Sequence, residues 1–335
     1  MIVGVGISGG VDSAATALLL KRAGHQVRGY TLRMTGADCG KARQVAARLD
    51  IPLQELDIKS QFDKMVLDYF ADEYACGRTP SPCVKCNRLF KFGFLLDAMR
   101  ADGCDCIATG HYARIEDGCL KRGLDASKDQ SYFLAQVPMA VFPYVMFPLG
   151  NMLKSQVKQM VYAEGIVSQE EGESQDLCFV SDGDVFSIVS QRRPELLKEG
   201  DIVTRDGKVL GRHKGAFAHT IGQRRGLGLG GGPWFVVKVD IAENKVIVGR
   251  QEDLNCRRVH LSGMNWLVDI PSTEIHVQAQ LRYLMNPREA RLVPCGSDEA
   301  ELNFDEDAPL APEGQLAVAY DGDKVVASGW INSCE

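Results

Sequence analysis

The sequence predicts an α/β protein with a parallel-sheet N-terminal domain, a small, mostly-β central domain and a C-terminal β-barrel. Up to about residue 190, short apolar runs alternate with amphipathic helical segments, which is typical of βα units that feed a parallel sheet. Beyond that point, short alternating strands are separated by turn signals such as RDGK (205–208) and YDGDK (320–324). We therefore place the domains at 1–190, 191–253 and 254–335.

The elements of the N-terminal domain follow from where its apolar runs begin and stop. IVGVGIS (2–8) has the length of a buried strand, and SAATALLLKRAG (13–24) is a helical segment that ends at a glycine. The same order of strand and helix predicts the remaining elements. They are strands at 25–34, 53–58 and 104–111, and helices at 41–49, 62–75, 88–101, 129–137 and 154–164. Near the C-terminus, 274–283 and 314–331 alternate apolar and polar residues and predict strands of the barrel.

Composition narrows the class of protein. A chain of 335 residues that is 45% hydrophobic and 24% charged is too apolar to be disordered and too long for one typical core. No run reaches the roughly 18 apolar residues of a membrane span, and the start lacks the basic stretch of a secretory signal, so we expect a cytoplasmic protein. Eleven cysteines, an odd number spread along the chain, are expected to be mostly reduced thiols.

Charge is distributed unevenly along the chain. The net charge of −6 argues weakly against a nucleic-acid partner. However, 205–225 is strongly basic, whereas 296–308 is acidic and has no basic residue. One face of the protein could therefore attract phosphates while another repels them.

The hexapeptide SGGVDS (8–13) stands where the first strand passes into the first helix. Gly9 and Gly10 can adopt conformations barred to other residues and expose backbone N–H groups to an anion. A tight turn capped by Asp12 or Ser13 is the alternative. The whole hexapeptide in this context instead resembles the pyrophosphatase loop of the N-type ATP pyrophosphatases, or PP-loop proteins. That resemblance implies an adenine nucleotide alpha hydrolase-like fold, and binding of ATP with Mg²⁺, for which no ligand can be assigned.

Cysteines form a second group of candidate residues. Cys83 and Cys86 make a C-x-x-C on a proline-containing loop, and this motif suits half a zinc site, a redox dithiol or two cluster ligands. No second C-x-x-C, H-x-x-H or C-x-x-H spacing exists in the sequence, which disfavours a structural zinc site. Cys178 lies in ESQDLCFVSDGD (173–184), an acidic, helix-hostile segment that could fold over the nucleotide.

Several long motifs, in order, resemble the tRNA-specific 2-thiouridylases, the MnmA family. They are GVGISGGVDSAATALLL, GRTPSPCVKCNRLFKFG, ATGHYAR, RGLDASKDQSYFL, FPLG and HTIGQRRGLGLGGGPWFVVKVD. The resemblance implies transfer of sulfur to C2 of the wobble uridine, U34, in the tRNAs for Lys, Glu and Gln. A sulfur-donor protein, either a persulfide relay or a cysteine desulfurase, is implied as a partner.

The resemblance also assigns residues. It makes Cys86 and Cys178 the catalytic pair: ATP adenylates O2 of the uridine, a Cys178 persulfide delivers sulfur to C2, and Cys86 then forms a disulfide with Cys178. Because each step needs a thiolate, Lys85 or the helix near Arg88 is expected to lower the thiol pKa values. Asp12 is placed with the catalytic residues. The nucleotide site is assigned to Gly6, Ile7, Ser8, Gly9, Gly10, Val11, Asp12, Ser13, Met34 and Gly110.

Cys83 departs from the family pattern, because many members carry aspartate at this position. Three cysteines at positions 83, 86 and 178 also match the ligand set of a [4Fe–4S] cluster with one open iron. Spacing alone cannot choose between the two schemes. We favour the persulfide relay, since it needs only the pair that the family motif supplies.

Contacts to tRNA are likewise implied by the resemblance and by the basic, glycine-rich stretch around residue 224. The wall of the pocket for the target base is assigned to Ser81, Pro82 and Cys83. The other tRNA-binding residues are His111, Lys128, Asp129, Gln130, Arg224, Arg225, Arg282, Tyr283 and Gln315.

Two other classes of protein fit part of these features. An amidotransferase-type synthetase or an argininosuccinate synthase would use the same loop with a nitrogen nucleophile, and would need neither Cys86 nor Cys178. A redox- or metal-sensing RNA-binding protein would use the thiols to hold a structural ion without catalysis.

Overall fold

Three β-sheets organise the described part of the chain. The computed structural model describes residues 1–34, 36, 38–168, 178–179 and 185–335. The strands are β1 (Ile2–Gly6), β2 (Gln26–Arg33), β3 (Leu53–Asp57), β4 (Cys106–Ala108), β5 (Ala113–Glu116), β6 (Cys119–Arg122), β7 (Val145–Met146), β8 (Gly200–Thr204), β9 (Val209–His213), β10 (Phe235–Asp240), β11 (Lys245–Gly249), β12 (Asn255–Trp266), β13 (Ile275–Gln280), β14 (Arg288–Pro294), β15 (Glu299–Pro309), β16 (Leu316–Asp321) and β17 (Lys324–Cys334).

Helices cover the first sheet and connect its strands. Two π-helical segments, Asp63–Asp68 and Asn87–Phe94, join neighbouring α-helices without a break. The α-helices are α1 (Val11–Arg22), α2 (Gly40–Arg48), α3 (Lys59–Phe62), α4 (Tyr69–Ala75), α5 (Pro82–Cys86), α6 (Leu95–Ala101), α7 (Ser131–Leu134), α8 (Lys154–Ala163) and α9 (Val185–Arg192). None of the helices in the described residues is long and apolar enough to cross a bilayer.

The first sheet is parallel and has the strand order β3-β2-β1-β4-β7. Val3 and Val5 of β1 are completely buried, because α6 packs on one face of the sheet and α1 with α8 on the other. The chain passes from β1 to β2 on one side and reaches β4 on the other, so the topological switch point lies between β1 and β4. Open α/β sheets bind ligands at such a point, beyond the carboxyl ends of the strands.

The predicted fold class is confirmed, and several elements differ from their predicted extent. The helix predicted at 129–137 covers only Ser131–Leu134. The helix predicted at 88–101 begins instead at Pro82, since proline fits the first turn of a helix, where its missing N–H has no partner to lose. The strand predicted at 104–111 is shorter and covers only Cys106–Ala108. The division of the chain at residues 190 and 253 stays a prediction.

The β-rich part contains two sheets. In the central sheet, of order β10-β11-β8-β9, only the β11–β8 pair is parallel. Strands β12 to β17 form an antiparallel barrel that is closed by pairing between β12 and β17. The turns predicted at 205–208 and 320–324 connect β8 to β9 and β16 to β17. Closure pairs the strand edges of the barrel, which protects them from other chains.

A hairpin of the N-terminal domain, β5–β6, extends the sheet of the barrel. Strand β6 pairs with β17 at Lys121 and Lys324, and the Arg122 N–H donates to the Asp323 carbonyl at 2.8 Å. The sequence predicted only a turn near residue 118, because these strands are four residues long and mostly polar. The hairpin ties the first domain to the last.

Asp129 fixes this junction from inside the protein. Its carboxylate accepts hydrogen bonds from the Gly123 and Ser131 N–H groups, at 2.9 and 3.1 Å, and from the Ser131 hydroxyl at 2.8 Å. Arg122 Nη1 lies 3.1 Å from Asp129 Oδ2, and its guanidinium stacks over the ring of Tyr320 in the barrel. Since the Asp129 side chain is only 9% exposed, its acceptor sites are used within the fold.

We predict that Asp129→Ala lowers the free energy of unfolding by about 3 kcal/mol, because it leaves the Arg122 charge unpaired in a largely buried setting. Urea unfolding followed by circular dichroism measures the change. Asp307→Ala, which breaks an exposed ion pair with Arg257, is the matched control and should change stability by less than about 1 kcal/mol. Equal losses in the two variants would contradict this role for Asp129.

Candidate functional site

A pocket of about 500 Å³ opens at the switch point between β1 and β4. It is lined by residues from the turn after β1, from the end of β2, and from the loop after β4. Ten predicted site residues line it: Gly6, Ile7, Ser8, Asp12, Ser13, Met34, Gly110, His111, Gln130 and Cys178. The structure therefore brings the glycine-rich turn and one candidate catalytic cysteine into one cavity.

The turn after β1 leads into α1, and Ser8, Asp12 and Ser13 of this stretch line the pocket. Gly9 has a φ of +87°, and a β-carbon there would lie 2.7 Å from the carbonyl carbon of Lys41, so a larger residue does not fit. Gly10 precedes α1, and the Ser13 hydroxyl donates to the Gly10 carbonyl at 2.9 Å. Because glycine has no side chain to cap the helix, the first N–H groups of α1 remain available to an anion.

Asp12 lies beside this turn and is held by two partners. Lys154 Nζ is 2.7 Å from Asp12 Oδ1 and 2.8 Å from Oδ2, and the Tyr112 hydroxyl donates to Oδ1 at 2.8 Å. Lys154 is the first residue of α8, far from Asp12 in sequence, and its side chain is only 12% exposed. The sequence analysis missed Lys154, although the motif FPLG ends only four residues before it.

The three candidate cysteines come from two segments of the chain. Cys178 lines the pocket, and its neighbour Phe179 packs edge-on against Phe62 and Phe70, with ring centroids 5.9 and 5.5 Å apart. Cys83 and Cys86 lie on α5, where Cys86 is 8% exposed within the apolar cluster that includes Phe62. The rest of the segment 173–184 lies outside the described residues.

Burial holds all three thiols in the protonated form. It raises the pKa of Cys86 to about 12 and also raises the pKa of Cys83. Cys178 is exposed by surface area, yet the protein around its sulfur removes water and raises its pKa as well. The expectation of lowered thiol pKa values is therefore wrong for this arrangement.

Lys91 supplies the positive charge that acts on the thiols. Its ammonium favours the thiolate of each of the three cysteines and partly opposes the effect of burial on their pKa values. Lys85, the residue expected in this role, instead lies with its ammonium 3.4 Å from the centroid of the Tyr69 ring. Lys91 also lines the pocket at the switch point.

His111 is a neutral residue in this structure. It is buried, and desolvation together with the nearby Lys91 charge holds its pKa well below the usual range. Lys91 Nζ lies 3.3 Å from Nε2, and Thr109 Oγ1 lies 2.7 Å from Nδ1. Because an ammonium can only donate, Nε2 accepts from Lys91 and Nδ1 carries the proton.

The cysteines do not form a metal site in this arrangement. No three His, Cys, Asp or Glu side chains in the described part of the chain lie close enough together to hold an ion. The three thiols are nevertheless near enough to interact, because Cys178 raises the pKa values of both Cys83 and Cys86. A cluster held by Cys83, Cys86 and Cys178 stays a prediction.

Other predicted tRNA contacts lie outside the pocket and hold the domains together. Gln315 Nε2 donates to the carbonyls of Thr79 and Pro80 at 2.8 and 3.3 Å, next to the buried residues Ser81 and Pro82. Arg282 Nη2 donates to the Leu310 carbonyl at 2.7 Å and to the Ile221 carbonyl at 3.3 Å. The ring of Tyr283 packs 4.2 Å from that of Phe133, centroid to centroid. The structure thus gives these side chains positioning contacts within the protein.

Two of the predicted tRNA-binding residues, Arg224 and Arg225, lie in the central domain. Arg224 and Arg225 are exposed, and neither has an ion-pair partner among the described residues. Lys128 is half-buried at the start of the turn that leads to Asp129. Roles in RNA binding for all these residues stay predictions.

Models of known protein families match the chain over most of its length. Residues 1–182 match the family model of a tRNA methyl transferase HUP domain, residues 188–250 that of a tRNA methyl transferase PRC-barrel domain, and residues 256–331 that of an aminomethyltransferase beta-barrel domain.

Curated relatives match over the same length. The proteins called tRNA-specific 2-thiouridylase MnmA from Syntrophotalea carbinolica and Chloroflexus aggregans are 42% and 43% identical to this chain. Each alignment covers 98% of this chain and 97% of the relative. The corresponding protein of Geotalea uraniireducens is 39% identical over 98% of this chain and 94% of its own length. From these matches and the shared order of domains, the chain belongs to the family of tRNA-specific 2-thiouridylases.

Proposed function

We propose that this protein catalyses the ATP-dependent 2-thiolation of U34 in tRNA. O2 of the uridine attacks the α-phosphate of ATP and pyrophosphate leaves. The terminal sulfur of a Cys178 persulfide then attacks C2 and displaces AMP. The Cys86 thiolate attacks the Cys178 sulfur, which releases 2-thiouridine and leaves a Cys86–Cys178 disulfide for a dithiol to reduce. The observation that carries this proposal is that Cys178 shares one pocket with the glycine-rich turn.

The chain's own residues suit the first step. The free N–H groups at the start of α1 suit the phosphates of ATP, because they present positive charge to an anion. Lys154 and Tyr112 fix the position of Asp12, which lines the pocket. Ile7 and Leu95 supply apolar wall to this pocket.

The second step needs a change at the cysteines. Cys86 is protonated and enclosed by apolar side chains at rest, so it cannot attack a persulfide prematurely. Entry of the target base beside Ser81–Pro82–Cys83 would move α5 and bring Cys86 closer to Lys91. Such gating keeps the persulfide intact until tRNA is bound, which supports the proposed order of steps.

Partners follow from the same proposal. The names of the relatives support tRNA as the substrate, and restriction to the tRNAs for Lys, Glu and Gln follows from the family resemblance. The sulfur donor is a protein that carries a persulfide and can reach Cys178 from the open side of the pocket. With tRNA and ATP as substrates, the cytoplasm is the compartment in which the protein works.

The alternative with a [4Fe–4S] cluster makes a distinct prediction. Anaerobically purified protein would be brown, would contain about four irons per chain, and would lose them in Cys83→Ala. Colourless, iron-free protein that still thiolates tRNA would support the relay. An absorption spectrum with iron and sulfide analysis decides between the two schemes.

The experiment that tests the function supplies purified protein with ATP, tRNA and a persulfide donor, and measures 2-thiouridine by mass spectrometry together with AMP and pyrophosphate. We expect AMP formation to depend on tRNA. RNA binding without tRNA-dependent AMP formation would instead favour the redox- or metal-sensing RNA-binding protein.

Alanine substitution at the cysteines should separate their roles. Cys86→Ala and Cys178→Ala are expected to reduce 2-thiouridine formation at least about a thousandfold, since each removes a reacting sulfur. Cys83→Ala should stay within about tenfold of the native rate, and the exposed Cys76→Ala is the control. A loss in Cys83→Ala as large as that in Cys86→Ala would contradict the two-cysteine scheme.

Lys91→Met should shift the pH dependence of thiolation upwards. Removal of the ammonium raises the thiol pKa values further, so the thiolates form only at higher pH and the rate at pH 7.5 falls by roughly tenfold. The rate should recover partly above pH 9. Lys64→Met, at an exposed lysine, is the matched control. A uniform loss at every pH would show that Lys91 does not act through the thiols.

Alkylation tests the resting state of Cys86. At pH 8, iodoacetamide should modify Cys86 about a hundredfold or more slower than the exposed Cys295, because a pKa of about 12 leaves very little thiolate. Peptide mass spectrometry over time gives both rates. Addition of tRNA and ATP should speed the reaction at Cys86, and equal rates without them would disprove the protonated resting state.

A further inference from the structure

We propose that a second cavity, behind helix α5, binds a nucleotide of the tRNA loop other than the target uridine. The inference rests on the proposed function, because it requires tRNA as the ligand. The cavity has a volume of about 680 Å³, larger than the nucleotide pocket at about 500 Å³. It lies between α4 and α5 of the first domain and strand β17 of the barrel.

Charge in this cavity favours an anion. Arg78 is neutralised by Glu73, which accepts hydrogen bonds from Arg78 Nε and Nη2 at 2.8 and 2.7 Å. Neither Lys85 nor Arg88 makes an ion pair among the described residues: the Lys85 ammonium lies over the ring of Tyr69, within the field of Glu73, and Arg88 donates to the Gln136 amide at 2.8 Å. The exposed Glu313 is the other carboxylate in the lining. Three cations face two carboxylates in this lining, so one net positive charge remains for a ligand that carries a phosphate.

The wall opposite these cations favours a planar ring. Trp330 of β17 is half-buried and borders the cavity, next to the amide of Asn332. An indole face stacks on any nucleobase, and an amide can hydrogen-bond the edge of a base. A phosphate site and a stacking surface in a cavity of this size fit one nucleotide.

The position of the cavity points to the RNA that brings the target base. Ser81, Pro82 and Cys83 begin α5 and form the proposed wall for U34, whereas Val84 and Lys85 of the same helix face the cavity. An α-helix with its side chains is about 10 Å across. An adjacent stretch of the same single-stranded loop can cover that distance. A nucleotide held behind α5 would pull on the helix that carries Cys86, and so couple loop recognition to the cysteines.

The test combines cavity variants with a series of anticodon stem-loop RNAs, each abasic at one loop position other than U34. Fluorescence anisotropy measures the dissociation constants of native protein, Lys85→Met and Trp330→Leu. Lys64→Met and Trp266→Leu, whose side chains lie outside the cavity lining, are matched controls. Arg88→Gln, at an exposed side chain, is a further cavity variant should Trp330→Leu fail to fold.

The expected result is coupling at one loop position. One abasic substitution should weaken binding to native protein about tenfold, as the loss of one stacked base does. A cavity variant should bind the intact loop about tenfold more weakly than native protein does. The same abasic substitution should then leave the dissociation constant of that variant unchanged. Additive effects at every position would overturn the proposal. Binding of a free nucleoside monophosphate that needs Trp330, without coupling to any abasic position, would also overturn it and assign the cavity to a free nucleotide.

Thiolation of intact tRNA by native protein is measured in parallel. Activity without coupling would refute the role of the cavity alone. Absence of both thiolation and RNA binding would refute the proposed function, and with it this inference.

Discussion

Hydrogen bonds between the barrel and the loop before α5 help to determine where Cys83 and Cys86 lie. Helix α5 is the first part of a continuous helical segment, 82–101, so its position depends on the loop before it and on the packing of the segment after it. On one side, Gln315 donates to the carbonyls of 79–80, and the Thr79 N–H donates to the Glu313 carbonyl at 2.8 Å. On the other, the helix continues into a π-helical segment that is packed in the first domain. The cysteines are thus positioned by a domain that contributes no reacting group.

The electrostatics of the site follow from this packing. Burial makes charged thiolates unfavourable, while one ammonium, that of Lys91, favours them. The same ammonium is bound by a neutral His111, which cannot compete for protons near neutral pH. The balance between burial and a single cation means that a small movement of α5 changes the reactivity of Cys86 strongly.

Much of the fold and part of the site could be predicted from the sequence, since periodicity and turn residues act locally. The turn at Gly9 and the parallel strands are examples. Lys91 could not be placed because the π-helical segment brings it to the side of Cys86, whereas in an α-helix a residue five positions on is rotated away by about 140°. Lys154 reaches Asp12 only through the packing of α8 on α1. Asp129 has partners within the fold that its local sequence does not indicate, and its contact with tRNA stays a prediction.

The β5–β6 hairpin has a consequence for synthesis on the ribosome. The hairpin is synthesised about 200 residues before β17, the strand with which β6 pairs. The edge of β6 therefore remains unpaired until the rest of the chain has been synthesised. Unpaired edges recruit other strands, and the hairpin limits this hazard with short, charged strands that contain Arg114 and Lys121. The pairing of the first domain is therefore complete only after the last strand, β17, has been synthesised. A protein truncated before the barrel would leave the edge of β6 exposed.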